Sequence, residues 1–394
     1  MSRGNNDRRS IVSRRRFVEL AGVSGAVSIA GCTGNGGGNG NGNGGGNGNG
    51  GGNGNGGGNG DGNGGGNGDG NGDGNGDGNG DQQLQLRVGT SAGGTRSVGL
   101  AVERAVSQHS DTLDYATIES PGYIGTVRRM DQGQFPAGIT DNNTLVKAMN
   151  DRGTFADQGV DSVPWYGFYA FPYSIYVVAR DGTGIETFDD LAGANVYPAE
   201  PGYSTRATTL DVWSQDPTAD VYDQMNIQNM AVDDAPGALE EGQIDAAIAY
   251  GTPGVRYTGW VQEYSSRVDV HYVEPTDALR ESAESYGGAG TGTTAYDEWG
   301  MGQDIGTDEV FHWDLQVNYM FNPAAEDAAV RELCRVVYEH NDTVNEAEAQ
   351  MNDFEEGVSA MHASAIPDIP VHPGAAQFYQ DNDAWNDELT VGER

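Results

Sequence analysis

The most constraining feature of this sequence is a strand, a glycine-rich turn and a helix in direct succession, over residues 84–110. Leu84, Leu86 and Val88 alternate with polar residues, which predicts a β-strand with one buried face. Residues 89–95 contain two adjacent glycines, and apolar residues then recur at helical spacing. Because two adjacent glycines leave the backbone uncovered, a ligand could approach this turn closely.

The turn at residues 89–95 would present backbone N–H groups and hydroxyls at a helix N-terminus, with Thr95 or Ser97 as the predicted N-cap. Such a terminus favours a small anion, for example a carboxylate, because the helix dipole is positive there. Most glycine turns between a strand and a helix bind nothing, so a purely structural turn remains the alternative. The glycine spacing fits neither a P-loop nor a dinucleotide-binding motif.

The same order of strand, turn and helix returns along the chain. Residues 113–120 and 135–140 predict two more strands, each followed by a helix. After an aromatic-rich stretch, residues 194–200, 226–232 and 244–250 predict the strands of a second, similarly organised half. Successive strand–helix units favour an α/β fold with mostly parallel sheets flanked by helices. The chain from position 84 onward is long enough for two lobes.

We expect the first lobe to comprise residues 84–175 with 311–394, and the second lobe residues 176–310. Residues 174–180 predict a buried strand at the first crossing, and residues 310–321 predict a long strand that returns to the first lobe. Both expectations rest on continuous apolar runs of strand length.

Several local signals predict structure nearer the C-terminus. Asn322 and Pro323 predict the N-cap and first residue of a helix whose buried face includes Cys334. Residues 351–364 predict a further helix, whereas the glycine-rich residues 285–307 predict an ordered loop over a cleft or on the surface.

The first 83 residues lack the pattern of a folded domain. Residues 1–32 contain an arginine cluster, a short apolar run and small residues before Cys32, which is typical of a twin-arginine signal peptide with a lipobox. An ordinary cleaved signal with an incidental cysteine is the alternative. Residues 33–83 are nearly all Gly and Asn and cannot bury a core, which predicts a disordered tether.

Acidic residues dominate the composition. The formal net charge is −37, and Lys147 is the only lysine. This balance indicates a protein suited to concentrated salt, where the Debye length falls to about 3 Å and self-repulsion is screened. It excludes nucleic acid as an expected partner, because no basic face exists to release counterions. Most of the carboxylates are therefore explained by solubility in a salty habitat and do not indicate a functional site.

No catalytic or metal-binding constellation is recognisable. The six histidines have no zinc-site spacing, and no nucleophile-elbow motif occurs. Close acidic pairs are expected by chance in such a composition. We therefore expect no catalytic residues, no metal and no cofactor.

Four turns that follow predicted strands present glycine with small hydroxyl or amide side chains. Ligands of open parallel sheets bind beyond the carboxyl ends of the strands, so these turns are the candidate site. Arg206 is the only expected cation there and could bind a carboxylate with two hydrogen bonds, or else pair with a surface acid. The candidate ligand-binding residues are Thr90, Ser91, Gly94, Thr95, Ser120, Tyr123, Asn142, Tyr203, Ser204, Thr205, Arg206 and Thr252.

Short motifs in a fixed order give the sequence a resemblance to a known family. They lie at residues 88–95, 120–123, 190–193 with 201–206, 242–247 and 370–375. In this order they resemble the solute receptors of tripartite (TRAP) transporters, specifically the TAXI family. The chain departs from the family pattern at Pro136, where an aspartate is usual.

The resemblance implies a two-lobed fold of the type II periplasmic-binding-protein kind that closes on a small carboxylate such as glutamate or 2-oxoglutarate. It also implies delivery of that solute to an ion-driven TRAP permease in the membrane. With Cys32 lipidated, the expected location is the outer face of the cell membrane. A surface sensor without a transport role and, further off, an enzyme on the same fold are the alternatives.

Overall fold

Strands and helices alternate along most of the chain, as the apolar periodicity predicts. The computed structural model describes residues 83–298 and 301–394, all of which belong to one compact unit beginning at Asp77. The predicted signal peptide, Cys32 and the glycine–asparagine tether lie outside the described residues.

Eleven strands are present in the described residues. They are β1 Leu84–Thr90, β2 Leu113–Glu119, β3 Ala137–Asp141, β4 Trp165–Arg180, β5 Asn195–Tyr197, β6 Asn226–Ile227, β7 Ala246–Thr252, β8 Arg256–Tyr257, β9 Val270–Tyr272, β10 Gly290–Ala295 and β11 Glu309–Phe321.

Eleven α-helices accompany these strands in the described part of the chain. They are α1 Gly94–His109, α2 Gly122–Asp131, α3 Asn142–Met149, α4 Ser204–Trp213, α5 Ala219–Tyr222, α6 Ala235–Glu240, α7 Gly259–Ser265, α8 Asp277–Ser285, α9 Asp327–Glu339, α10 Asn341–Ala347 and α11 Pro373–Asp381. None of these helices is both long enough and apolar enough to cross a membrane.

The strands form one hydrogen-bonded sheet with the order β2-β1-β3-β11-β4-β7-β5-β6. The pairs around β1 and around β5 are parallel, whereas β4 and β11 run antiparallel to each other and to β7 and β3. The α/β class and a fold of the type II periplasmic-binding-protein kind are therefore confirmed. The parallel pairs around β1 and around β5 are as expected for each lobe, and the antiparallel pairs that involve β4 and β11 make the sheet as a whole mixed.

We call β1–β3 with their helices the first lobe, and β5–β7 with theirs the second lobe. The long strands β4 and β11 connect them. The end of β11 pairs with β3 through Val317–Phe321, while the second half of β4 pairs with β7 through Ser174–Ala179. Between these points β4 and β11 pair with each other, with Trp313 opposite Ile175. Each lobe thus contains half of each connecting strand, while the residue boundaries of the lobes stay a prediction.

The core follows the sheet on both faces. In β4 the side chains of Phe168, Phe171 and Ile175 are fully buried, which explains the long apolar run of this segment. Helix α9 buries the face that contains Leu333 and Cys334. Burial raises the pKa of the Cys334 thiol well above its usual range, so the prediction of an inert buried cysteine agrees with its position.

Two helix starts differ from the predictions. Helix α1 begins at Gly94 with Gly93 as N-cap, so neither Thr95 nor Ser97 caps it. Asn322 does not cap a helix. Its amide oxygen accepts from the Ala324 N–H at 2.8 Å within a turn, and the next helix begins five residues later. The polar side chain at Asn322 satisfies the backbone locally, and this competes with helix initiation.

Three segments were assigned the wrong structure or length. Residues 351–364 contain only a 3₁₀ helix, Val358–His362, because Phe354 and Gly357 adopt positive φ angles that interrupt an α-helix. The predicted loop at residues 285–307 contains β10, which pairs antiparallel with β11. The strand predicted over residues 226–232 is limited to the two residues of β6.

Candidate functional site

A cavity of about 590 Å³ lies between the two lobes, at the carboxyl ends of β1, β2 and β7. Its volume is in the range of small-molecule sites. We call it the main cavity. The predicted site residues that line it are Ser91, Gly94, Thr95, Ser120, Tyr123, Tyr203, Ser204 and Thr205.

Three helix N-termini meet at the main cavity. The N-cap residues of α1, α2 and α4 are Gly93, Pro121 and Tyr203, and none of them caps its helix with a side chain. The first turn of a helix leaves backbone N–H groups without intrahelical partners, and the helix dipole adds a partial positive charge. Their convergence makes the cavity suited to an anionic group.

Hydroxyl groups supply most of the polar surface of the main cavity. Thr95 Oγ1 and Tyr123 OH are hydrogen-bonded at 2.8 Å across the first-lobe wall. Burial raises the pKa of the Tyr123 phenol well above its usual range, so the group stays protonated and able to donate. Thr205 is buried in the opposite wall, and its hydroxyl has no hydrogen-bond partner among the described residues.

Three predicted site residues lie outside the main cavity. Thr90 is fully buried, and its hydroxyl donates to the Ile118 carbonyl at 3.4 Å. Asn142 donates to the Gln316 side chain at 2.9 Å within a buried polar network. Thr252 donates to the Pro172 carbonyl at 3.2 Å and lines a neighbouring cavity. Thr90 and Asn142 therefore lie behind the cavity walls, whereas Thr252 lines the neighbouring cavity.

Arg206 is also turned away from the main cavity. One terminal nitrogen donates to the Ala199 carbonyl at 2.7 Å and to the Gln228 carbonyl at 3.2 Å, and the other donates to Asn229 Oδ1 at 2.6 Å. The residue is only 9% exposed. Its guanidinium therefore holds the backbone of the second lobe together, and its predicted role as a carboxylate clamp stays a prediction.

Sequence reasoning missed several residues of the main cavity wall. Tyr173 and Tyr250 contact each other edge to face, with ring centroids 5.8 Å apart, and Thr258 lines the cavity beside them. Tyr173 directly precedes the strand predicted over residues 174–180, and Tyr250 is the last residue of the strand predicted over residues 244–250. The one available signal was the position of Tyr250, directly before the glycine turn.

Two smaller cavities adjoin the main one. The α3 cavity, of about 450 Å³, is lined by Asp141, Lys147 and Arg206 together with residues of the main cavity. The β8 cavity, of about 320 Å³, is lined by Arg256 and Gln350 among others. Of the described residues lining the main cavity, Glu119 is the one with a charged side chain and no lysine or arginine is present.

Asp141 gives the α3 cavity an unusual carboxyl group. Its oxygens accept from the backbone N–H of Thr144 at 2.8 Å and from the Thr144 hydroxyl at 2.7 Å, which caps α3. Burial raises the pKa of Asp141 to about 6, although these hydrogen bonds and the nearby Lys147 oppose the shift. Lys147 itself forms an ion pair with Asp211 of the second lobe.

The chemistry that this arrangement offers is reversible binding. Within the described residues, no group of three or more His, Cys, Asp or Glu side chains is placed to hold a metal ion. The main cavity presents hydroxyls and helix N-termini, which donate hydrogen bonds to an anion without activating a nucleophile.

A family model matches residues 88–382, which is most of the chain and nearly all of the described residues. It describes the NMT1-like family. The chain belongs to the NMT1-like family. The match contains every candidate ligand-binding residue of both lobes, and a search of curated protein sequences gives no match.

This NMT1-like chain is also similar to solved structures of solute-binding proteins. The periplasmic aliphatic sulphonate binding protein SsuA from Escherichia coli is 12% identical, with 78% of this chain and 96% of that chain covered and a TM-score of 0.40. A putative L-cystine ABC transporter protein from Listeria monocytogenes is 10% identical, with 68% and 99% covered and a TM-score of 0.38. The probable amino-acid transporter binding protein ytmK from Bacillus subtilis is 10% identical, with 67% and 96% covered and a TM-score of 0.38.

Proposed function

We propose that this chain is an extracytoplasmic receptor that captures a small carboxylate between its two lobes and passes it to a membrane permease. The carrying observation is the main cavity, in which three helix N-termini without side-chain caps meet. Such termini bind anions through N–H groups and the helix dipole. The receptor acts without catalysis.

The nature of the cavity wall supports a small polar anion as the ligand. Thr95, Tyr123 and Thr205 line a space whose described lining residues include no cationic side chain. A carboxylate or a similar oxyanion accepts several hydrogen bonds from N–H and O–H donors at once. Glutamate and 2-oxoglutarate have the size and charge that suit the cavity.

The proposed transport role includes a TRAP-type permease and a lipid anchor at Cys32. Its support is the ordered set of TAXI-like motifs and the lipobox-like sequence that ends at this cysteine. Closure of the two lobes would bend β4 and β11, the two strands that connect them, and trap the ligand. The tether at residues 33–83 would let the closed receptor reach its permease.

The test is a thermal-shift titration of the purified protein in molar salt with glutamate, 2-oxoglutarate, malate and succinate. A bound ligand at 100 times its Kd stabilises the folded state by about 2.7 kcal/mol, which raises Tm visibly. We expect a saturable shift with at least one of these acids. The absence of any shift with all four would overturn the carboxylate assignment.

A pair of matched variants locates the site. Thr205→Val keeps the shape of the side chain but removes the unpartnered hydroxyl of the main cavity. We expect the Kd to rise about 10-fold, as one hydrogen bond to a charged ligand is lost. The control is Thr112→Val, an exposed threonine at the opposite end of β1, which should leave Kd unchanged.

A surface sensor without a permease is the second candidate, because the same cavity could report ligand binding by closure alone. Uptake measurements in cells with and without the protein separate the two. Loss of uptake of the bound acid on deletion supports the receptor, whereas unchanged uptake favours the sensor.

A further inference from the structure

The β8 cavity adjoins the main cavity. Gly94, Tyr173 and Thr258 line both of them, so the two spaces are direct neighbours. Beyond these shared residues, the wall of the β8 cavity includes Arg256 from the second lobe and Gln350 from the C-terminal part of the chain. Neither residue belongs to the four predicted turns, which are residues 90–95, 120–123, 203–206 and 251–254.

Two buried polar groups in the β8 cavity have no hydrogen-bond partner among the described residues. They are the hydroxyl of Thr258 and the side-chain nitrogen of Gln350, which lies beside Tyr173 OH without meeting it in normal hydrogen-bond geometry. Gln350 is only 3% exposed. Buried donors are nearly always paired, and an unpaired amide nitrogen therefore points to an acceptor that the site receives from a ligand.

Arg256 places a positive charge at the same cavity. It lies in β8 just after the glycine turn that ends β7, and one of its terminal nitrogens donates to Glu348 Oε1 at 3.0 Å. The Arg256 side chain is 53% exposed, whereas that of Glu348 is 9% exposed. Because this ion pair uses one of the five donors of the guanidinium, the other donors can bind a second acceptor.

Arg256 thereby differs from Arg206, the arginine that the sequence favoured. All hydrogen bonds of Arg206 run to oxygens of the second lobe, and it does not line either of these cavities. Arg256 is the one lysine or arginine among the described residues that line the main and β8 cavities.

We infer that the β8 cavity is a second anionic subsite, in which Arg256 and Gln350 bind the distal carboxylate of a dicarboxylate ligand. The inference rests on the proposed function, because the first carboxylate occupies the helix N-termini of the main cavity. A guanidinium and an amide nitrogen can only donate hydrogen bonds. They therefore favour an acceptor such as a carboxylate over an ammonium group. The ligand class is therefore an acid with two carboxylates, not a simple monocarboxylate.

The experiment compares matched ligands on the full protein by calorimetric titration in molar salt. Glutarate and 2-oxoglutarate are each measured beside the five-carbon monocarboxylates pentanoate and 2-oxopentanoate. In the wild type we expect the dicarboxylates to bind at least about 10-fold more tightly, as a charge-assisted pair adds to binding. Arg256→Gln and Gln350→Met should remove most of this preference while the Kd for the monocarboxylates changes less than about twofold.

Two controls separate ligand binding from the contact between the lobes. Glu348→Gln weakens the same ion pair but retains the guanidinium, so it should keep the dicarboxylate preference. Arg267→Gln removes an exposed arginine that pairs with Glu263 and should change nothing. If Glu348→Gln loses as much preference as Arg256→Gln, the arginine acts through the ion pair and the inference is overturned.

The remaining outcomes are distinct. A wild type that binds dicarboxylates, with Arg256→Gln and Gln350→Met unchanged in preference, overturns the second subsite and leaves the receptor standing. A wild type that binds none of the four acids overturns both.

Discussion

The two walls of the main cavity are built in different ways. On the first-lobe wall, Gly94 is crowded, since a Cβ there would lie 2.6 Å from Tyr173 OH and 2.8 Å from Gln350 Oε1. On the second-lobe wall, Gly202 has no atom within 4 Å of an added Cβ, and Tyr203 is 39% exposed. At Gly94 the cavity wall is therefore closely packed, whereas at Gly202 it is an open turn.

The difference indicates separate roles for the walls. Side chains of the crowded wall cannot move without disturbing their neighbours. This wall would therefore hold its binding groups in position before a ligand arrives. The free turn needs an anchor behind it, and Arg206 supplies one through its three hydrogen bonds. Substitutions that remove the anchor should therefore cost the most, followed by those in the crowded wall and then by those in the free turn.

The largest effect is expected for Arg206→Ala. The change leaves the Ala199 and Gln228 carbonyls and Asn229 without their buried donor. The free energy of unfolding should fall by about 3 kcal/mol, since hydrogen bonds to charged groups are individually strong. Denaturant unfolding in molar salt measures the change, with the exposed Arg267→Ala as the control. A variant of wild-type stability that has lost ligand binding would instead restore the clamp role of Arg206.

The buried carboxyl of Asp141, which lines the α3 cavity, gives the second prediction, a pH dependence. Asp141 has its pKa raised from 3.8 to about 6 in the folded protein, so folding favours its protonated form. This contribution is complete below about pH 4 and is lost as the pH rises through 6. Asp141→Asn retains an acceptor for the Thr144 N–H. It should therefore gain about 2 kcal/mol relative to the wild type between pH 4 and pH 7.

Unfolding curves of the wild type and Asp141→Asn at successive pH values test this expectation. Taking the difference between the two proteins cancels the pH effects of the other carboxylates. Parallel stability profiles across this range would contradict a raised pKa at Asp141.

The smallest effects are expected for alanine substitutions at two glycines of the main cavity, Gly94 and Gly202. Gly94→Ala should lower the free energy of unfolding by about 2 kcal/mol, because Tyr173 and Gln350 must shift. Gly202→Ala has space but a φ of +99°, so about 1 kcal/mol of backbone strain is expected. Gly237→Ala, in helix α6 with open space and no positive φ, should be neutral or slightly stabilising. Equal losses for Gly94 and Gly202 would remove the distinction between the walls.

The sequence predicted the parts of this architecture that depend on local pattern. Leu86 and Val88 identified β1 by alternation, and the strand–turn–helix pattern predicted the turn in which Ser91 and Thr95 line the main cavity. Residues at strand ends are predictable because strand order alone brings their turns together.

Long-range contacts account for what the sequence did not reveal. The contacts of Arg206 could not be predicted from the sequence, because two of its three acceptors are main-chain carbonyls whose positions depend on the fold. Gln350 lies in an irregular segment after α10, and its proximity to Gly94 depends on the complete fold. Asn322 was predicted to cap a helix, but its side chain instead accepts a hydrogen bond from the Ala324 N–H within a turn.

The position of β11 also determines when the molecule can become complete. This strand lies between β3 and β4 in the sheet, although both precede it in the chain by well over a hundred residues. During synthesis the first three strands therefore emerge before β11, the strand that pairs with β3, whereas β7 follows its partners β4 and β5 in the chain. Contacts so distant in sequence form late and slowly. The first lobe of a nascent chain is therefore incomplete until β11, Glu309–Phe321, has been synthesised.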